Sequence, residues 1–317
     1  MQLHTEEKLI RATFANLRLK NFQRRRRTNV LEDKSYFLFT TEIKVAGMTF
    51  PVLTLSLPVV LLTHSKQECS ALATILWDNF FAEVGKFKTP EKGTLREIIS
   101  MLSMKWMKHC NTGFSDGNVL YLASKLLKKN PSWEDINGPG CMVTWYEFSR
   151  KELDGHKFSF WLWFYNIMKL TEKYFSDAWG AGYILGFASK DYVKEILSSD
   201  NYVYGTFILR FSDSSEDGGL TLAYKKKDEI TGKHNIIMAE PFDSNILDQR
   251  SLADTLLDQK SILTFVYTPP NPVPLESAFR RKPTAATTNT LGYVKVNLRV
   301  VVGKYLHHLL SNLHTAC

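Results

Sequence analysis

The sequence feature that most constrains the fold is an arginine inside an apolar strand. Residues 206–211 read Thr-Phe-Ile-Leu-Arg-Phe, and a stretch rich in Ser, Asp and Gly follows up to Gly219. Side chains alternate along a strand, so Arg210 shares a face with Ile208 while other apolar residues occupy the opposite face. Apolar residues on both faces indicate a central strand that is covered on both sides. We therefore expect Arg210 to be buried and to need an anionic partner.

Two kinds of partner for Arg210 remain open. The first is a carboxylate of the same chain, such as Asp213 or Glu216, because buried cations are normally paired. The second is a phosphate delivered by another molecule. In that case the planar guanidinium would bind phosphate oxygens bidentately, and Ser212, Ser214 and loop N–H groups would complete the shell.

The surroundings of this strand predict a small α+β module. Upstream, Ser189 is placed to cap a helix whose first turn contains Lys190. Downstream, residues 220–224 and 234–239 have the composition of two strands, joined through a turn at residues 231–232. A helix, a strand, a phosphate-sized loop and a hairpin follow one another along the chain.

Three ordered blocks, at residues 179–190, 205–215 and 239–242, resemble the SH2 domain of the STAT transcription factors. The resemblance implies a phosphotyrosine site formed by Arg210, Lys190, Ser212, Asp213 and Ser214. The sequence departs from the family pattern in two ways: an aspartate stands at 213 where the family usually has glutamate, and two extra residues lie between Lys190 and Arg210.

The resemblance extends to other parts of the chain. Residues 14–20, 56–60 and 74–79 are similar to parts of the STAT DNA-binding barrel, and residues 158–163 are similar to the end of the STAT linker. The implied fold is multidomain α+β, with a partial, immunoglobulin-like β-barrel, a helical linker and an SH2 domain. The expected boundaries are 1–85 for the partial DNA-binding domain, 86–171 for the linker, 172–275 for the SH2 domain and 276–317 for a flexible tail with a phosphotyrosine segment.

Basic residues in the first part of the chain are candidates for DNA contact. The net charge is +8, and residues 8–27 contain no acid. The run Arg24, Arg25, Arg26 and Arg27 is compatible with a solvated loop, a nuclear-import signal or contacts to a phosphate backbone. Asn79 matches a family position that faces DNA. The chemistry of Asn79 alone favours a capping or turn amide at the end of a helix over residues 71–77, because asparagine commonly bonds to the local backbone.

The middle of the chain has the apolar periodicity of helices. The predicted helices cover residues 95–107, 118–129 after an Asp-Gly turn at 116–117, 144–153 and 160–175. The aromatic residues of 158–163 are interpreted as core rather than as a ligand cage. A rigid spacer between a DNA reader and a phosphotyrosine reader is the expected role.

Several function classes lack support in the sequence. No G-x-S-x-G, H-E-x-x-H, P-loop or H-R-D pattern is present, so we expect no enzyme, and no cofactor is indicated. The four cysteines are widely spaced, which predicts neither zinc nor disulfides. No apolar run reaches about 18 residues, the length of a membrane span. With no secretory signal, the expected location is the cytoplasm, with movement to the nucleus on activation.

Tyr293 follows Gly292 on the predicted tether and matches the activating tyrosine of STAT tails. Phosphorylation adds about −1.5 to −2 charges and three acceptor oxygens. The expected mechanism is a reciprocal exchange in which this group enters the Arg210 and Lys190 site of a second copy, while residues 294–296 add a strand to a sheet edge. The implied partners are phosphotyrosine peptides of receptors, a Janus-type tyrosine kinase, a second STAT chain and DNA.

The alternative is a truncated phosphotyrosine-binding adaptor or competitor that does not bind DNA. The family's N-terminal domain, coiled coil and first barrel strands have no counterpart before Phe14. Residues 299–317 are basic and apolar where the family often has an acidic activation segment.

Overall fold

The computed structural model describes residues 34–62, 64–81, 89–228 and 232–281. Two compact units make up the chain, the first ending at Ala71 and the second beginning at Leu72. The arginine run 24–27, the predicted strand at 14–20 and Tyr293 lie outside the described residues. Within the described part, no helix is long and apolar enough to cross a membrane.

The first unit contains short antiparallel strands. They are β1 (Lys34–Ser35), β2 (Leu38–Val45), β3 (Met48–Leu55) and β4 (Val59–Val60). The β2–β3 hairpin turns at Ala46 and Gly47, whose φ angles of 51° and 81° suit a tight hairpin turn. Strand β1 pairs with β4, and residues 34–62 form two-stranded sheets without a closed barrel. Apolar side chains such as Leu53 are exposed on this hairpin.

The first part of the second unit is mainly helical. Its elements are α1 (Glu68–Phe81), β5 (Lys92–Thr94), α2 (Leu95–Cys110), α3 (Asp116–Leu127), α4 (Trp133–Asn137), β6 (Met142–Thr144), α5 (Trp145–Ser149), α6 (Phe160–Leu170) and α7 (Ser176–Gly180). A π-helical turn at Thr171–Phe175 connects α6 to α7. Strands β5 and β6 pair antiparallel and lead into α2 and α5, which Thr94 and Thr144 cap.

The start of α3 and the end of α5 differ from the boundaries that the sequence predicts. Helix α3 begins at Asp116 rather than at 118, because the Ser115 hydroxyl accepts from the N–H of Asn118 at 3.3 Å. The predicted helix 144–153 is wrong in length, since α5 ends at Ser149. Beyond it the Leu153 N–H donates to the Phe158 carbonyl at 2.9 Å, so the chain turns back toward α6.

The second part of this unit is a sheet with helices. Its elements are α8 (Lys190–Ser198), β7 (Thr206–Phe211), β8 (Leu220–Lys227), β9 (His234–Met238), α9 (Ser244–Gln249), α10 (Leu252–Leu257), β10 (Phe265–Val266), β11 (Val273–Pro274) and α11 (Leu275–Ala278). Among the described residues the sheet has five strands in the order β11-β10-β7-β8-β9. Strand β7 is central and every residue of it is buried, as its sequence predicts. The β8–β9 hairpin is confirmed, and part of its turn lies outside the described residues.

An aromatic core joins the helices to the sheet. The Trp106 ring on α2 packs within 6 Å of five other aromatic rings, namely Phe114, Phe164, Trp179, Phe187 and Phe211. Trp161 and Trp163 are buried too, which confirms that the aromatics of residues 158–163 are core. Helices and sheet therefore bury their apolar surfaces together.

The residues after β11 pack onto the sheet unit. Phe279 is buried and its ring lies 5.5 Å from that of Tyr183. Arg281 donates to Asp258 at 2.7 Å. The flexible tether predicted from residue 276 therefore does not include residues 276–281, because apolar burial and an ion pair hold them.

Candidate functional site

Arg210 lies at the centre of the candidate site and has no exposed surface. Its Nη1 donates to the carbonyls of Ala188 and Phe211 at 2.7 and 2.9 Å. Its Nη2 lies 3.3 Å from Oδ1 of Asp213. The internal carboxylate that the sequence left as one alternative is therefore present, and Asp213 rather than Glu216 supplies it. Arg210 Nε has no hydrogen-bond partner in the part of the chain that the structure describes.

Asp213 connects this arginine to the helical region. Its Oδ2 accepts from Lys125 Nζ at 2.9 Å and from the Tyr121 hydroxyl at 2.7 Å, both on α3. Burial opposes ionisation of this carboxylate. The hydrogen bonds from Lys125 and Tyr121, with the lysine and arginine charges, nevertheless hold the pKa of Asp213 well below its usual range. Burial, and next the negative charge of Asp213, raise the pKa of Tyr121, so its hydroxyl stays a donor.

The two serines of the loop after β7 bond to each other. The Oγ atoms of Ser212 and Ser214 are 2.8 Å apart. The Ser212 carbonyl accepts from Trp163 Nε1 at 2.8 Å, and its N–H donates to the Gly219 carbonyl at 2.8 Å. A tryptophan of α6 therefore fixes the start of this loop, a role that the sequence analysis missed because it treated that residue only as core.

The segment before α8 is held by the helical region as well. Asn118 Nδ2 donates to the carbonyls of Leu185 and Phe187 at 2.8 and 3.2 Å. Gly186, between them, has a φ of 88°, and a Cβ there would lie 2.8 Å from the Trp179 ring. Its carbonyl accepts from the N–H of Phe211 at 2.8 Å. Only glycine fits this close approach, which aligns the segment with β7.

A cavity of about 490 Å³ opens beside Asp213. The residues that line it are Tyr121, Ser124, Lys125, Lys128, Lys129, Asn130, Leu153, Asp154, His156, Ser189, Lys190, Asp213 and Ser214. Its volume falls in the range of about 300–1,000 Å³ typical of ligand sites. Arg210 does not line the cavity, whereas its partner Asp213 does.

Lys190 differs from the other lysines around this cavity. It is the first residue of α8, and Ser189 caps that helix by accepting from the N–H of Tyr192 at 3.0 Å. Its side chain is exposed and has no carboxylate partner among the described residues. A lysine without an internal counter-ion is available to an anionic group that enters the cavity.

The structure brings the predicted phosphate-binding residues together around one cavity, and Asn79 does not line that cavity. Lys190, Asp213 and Ser214 line the cavity, while Arg210 and Ser212 contact it through Asp213 and Ser214. Asn79 is exposed on α1, which runs to Phe81, so the alternative that it caps the helix end is wrong. The described residues contain no cluster of three or more metal-ligating side chains.

Comparison with known protein families gives three matches in order along the chain. A model described as the DNA-binding domain of STAT proteins matches residues 1–62. The model of the linker domain of signal transducers and activators of transcription matches residues 82–164, and an SH2 domain model matches residues 183–258. These domains belong to non-enzymatic signalling and transcription proteins and support phosphotyrosine binding. The chain therefore belongs to the STAT family.

Proposed function

We propose that this chain is a signal-activated transcription factor that binds phosphotyrosine in the cavity beside Lys190. The observation that carries the proposal is the exposed Lys190 ammonium, which has no carboxylate partner among the described residues and lies on the same cavity as Asp213 and Ser214. A phosphate carries about −1.5 to −2 charges and three acceptor oxygens, which suits an ammonium, a hydroxyl and a guanidinium.

Arg210 joins the site when phosphate replaces Asp213 as its partner. The Arg210 to Asp213 distance of 3.3 Å is long for a charge-assisted hydrogen bond, for which about 2.7–2.9 Å is usual. Asp213 is bound more closely by Lys125 and Tyr121. The carboxylate can therefore give up the arginine and keep its partners on α3.

The tail supplies the phosphate in this proposal. Tyr293 lies 12 residues beyond Arg281, the last described residue, and that length spans at most about 40 Å. Once phosphorylated by a Janus-type kinase, it enters the cavity of a second chain, and residues 294–296 pair with the edge strand β9. Two reciprocal contacts form, and the first raises the effective concentration for the second.

The remaining assignments complete the proposal. The chain divides into a partial DNA-binding domain (1–85), a linker (86–171), an SH2 domain (172–275) and a tail. Asn79 and the run Arg24 to Arg27 contact DNA, the arginines through phosphates and without reading sequence. The protein also docks on phosphotyrosine peptides of receptors, has no catalytic activity, and moves from cytoplasm to nucleus on activation.

Calorimetric titration with a phosphotyrosine peptide tests the cavity. Lys190→Gln should weaken binding at least about tenfold, because a charge-assisted bond to phosphate is lost. Lys194→Gln is the matched control, since Lys194 lies on the same helix and already pairs with Asp191 at 3.5 Å. Equal affinities of both variants and the wild type would overturn the site.

Mass in solution tests the dimer. Phosphorylation of Tyr293 should double the mass of the wild type, and Tyr293→Phe and Lys190→Gln should stay monomeric. Retention of the phosphorylated dimer on duplex DNA, weakening with salt, supports the transcription factor. Phosphopeptide binding without DNA retention at low salt supports the adaptor or competitor instead. An unchanged mass would remove the switch from the proposal.

A further inference from the structure

The cavity carries more positive charge than one phosphate site requires. Four lysines and two aspartates line it. One of the lysines, Lys190, comes from the SH2 domain, and the other three, Lys125, Lys128 and Lys129, come from the linker at the C-terminal end of α3. The linker therefore forms much of the cationic wall of a cavity that the SH2 domain completes.

Lys125 is already committed to the arginine cluster, by which we mean Arg210, Ser212, Asp213 and Ser214. Its Nζ binds Asp213 at 2.9 Å, and both side chains are about three-quarters buried or more. It positions that carboxylate and is not available to a further anion.

Lys128 and Lys129, which we call the lysine pair, are held only weakly. Lys128 pairs with Asp154, whose side chain is 69% exposed. Lys129 pairs with Asp135 at 2.9 Å and is itself 54% exposed. Exposed ion pairs contribute about 0–1 kcal/mol, so an incoming anion displaces these carboxylates at little cost.

The position of the lysine pair has a structural explanation as well. Cations at the C-terminal end of a helix stabilise the helix dipole, and Lys128 is the C-cap of α3 with a φ of 58°. That explanation predicts an effect on stability and none on the choice of peptide. The two roles are therefore separable by measurement.

We propose that the lysine pair is a second anion subsite, contributed by the linker, which binds acidic residues flanking the phosphotyrosine. This inference rests on the proposed phosphotyrosine site and concerns the receptor peptides rather than the Tyr293 tail, whose residues 291–296 contain no acid. It names the preferred class of those peptides: peptides with carboxylates on both sides of the phosphotyrosine. The exposed position of the pair makes its contribution dependent on ionic strength.

Titration of the full chain with two synthetic peptides tests the subsite. One peptide has Glu on both sides of the phosphotyrosine, and the other has Gln at both positions. The wild type should prefer the Glu peptide about five- to tenfold at low salt, as two exposed ion pairs allow. In the double variant Lys128→Gln/Lys129→Gln the preference should fall below about twofold, while the Gln peptide binds as before.

The matched control is Lys173→Gln/Lys260→Gln, which removes two exposed lysines that pair with exposed carboxylates away from the cavity. It should keep the wild-type preference. Equal binding of both peptides by the wild type, or a preference that survives in the lysine-pair variant, would overturn the subsite and leave the phosphotyrosine site intact. If neither peptide binds, the proposed function fails, and the subsite fails with it.

Discussion

The arginine cluster and the lysine pair lie around one cavity but are built in opposite ways. Arg210 has no exposed surface and bonds to two carbonyls and a carboxylate. Lys128 and Lys129 are exposed and pair with carboxylates that water also reaches. The fold fixes the partners of the buried arginine, whereas each exposed lysine can exchange its carboxylate partner for another anion.

This difference separates two tasks within one site. A buried group that several hydrogen bonds hold in place orients a phosphate with little loss of freedom, but the fold depends on it. An exposed charge adds attraction and selectivity, and the fold barely depends on it. We expect substitutions in the arginine cluster to change both stability and binding, and substitutions in the lysine pair to change binding alone.

The largest expected effect comes from Arg210→Met. It leaves the Ala188 and Phe211 carbonyls without this donor and Asp213 without one cation, which should lower the free energy of unfolding by about 3–5 kcal/mol. The control Lys128→Met should stay within about 0.5 kcal/mol of the wild type. Urea denaturation followed by circular dichroism measures the free energy of unfolding of both variants. Similar decreases in the two would contradict the difference between the arginine cluster and the lysine pair.

Asp213→Asn should have the second largest effect and a pH dependence. The wild type should be more stable than this variant by about 2–3 kcal/mol at neutral pH, because the variant loses hydrogen bonds to a charged carboxylate. The pKa of Asp213 is depressed in the fold, so this difference should be complete above about pH 4 and shrink as the pH falls below it. Denaturation curves at a series of pH values measure the gap, and a gap that grew in acid would contradict the ion-pair account.

The third effect concerns the segment that runs beside β7. Gly186→Ala combines a left-handed φ with a clash against Trp179 and Asn118, whereas Gly182→Ala has a φ of 75° and open space around its Cβ position. The first substitution should cost about 1–2 kcal/mol more than the second, since only it overpacks the contact with the linker. Thermal unfolding of both variants gives the difference. Equal melting temperatures would show that Trp179 and Asn118 move aside to accommodate the added methyl group.

The smallest effect isolates one hydrogen bond to the loop. Trp163→Phe removes the donor to the Ser212 carbonyl, and Trp106→Phe removes an Nε1 that has no hydrogen-bond partner among the described residues. Both lose similar volume from the core. We expect Trp163→Phe to weaken phosphopeptide affinity by about 1 kcal/mol more than Trp106→Phe. Calorimetric titration measures both affinities, and equal affinities of the two variants would show that this prediction is wrong.

Local patterns in the sequence predicted the parts of the SH2 domain that depend on neighbours in the chain. The alternation in β7 predicted a buried central strand, and Ser189 predicted the start of α8, because both depend on residues a few positions apart. The start of α3 was wrong because the Asp-Gly pair was interpreted as a turn although Ser115 caps the helix two residues earlier.

The contacts that complete the site lie beyond the reach of such patterns. Asp213 meets Lys125 and Tyr121 across 88 and 92 residues, and Trp163 meets the Ser212 carbonyl across 49. No periodicity in a single sequence relates positions so far apart. The sequence assigned no binding role to Lys128 and Lys129, since the cavity they line depends on how α3 meets the SH2 domain.

The aromatic packing around Trp106 has a consequence for how the linker and the SH2 domain unfold. Phe187 and Phe211 of the SH2 domain pack in one hydrophobic core with α2 and α6 of the linker. Removing either domain would therefore expose an apolar surface of the other to water. Linker and SH2 domain should denature in a single cooperative transition. The phosphotyrosine reader of this chain is thus a two-domain module that has to be transplanted whole.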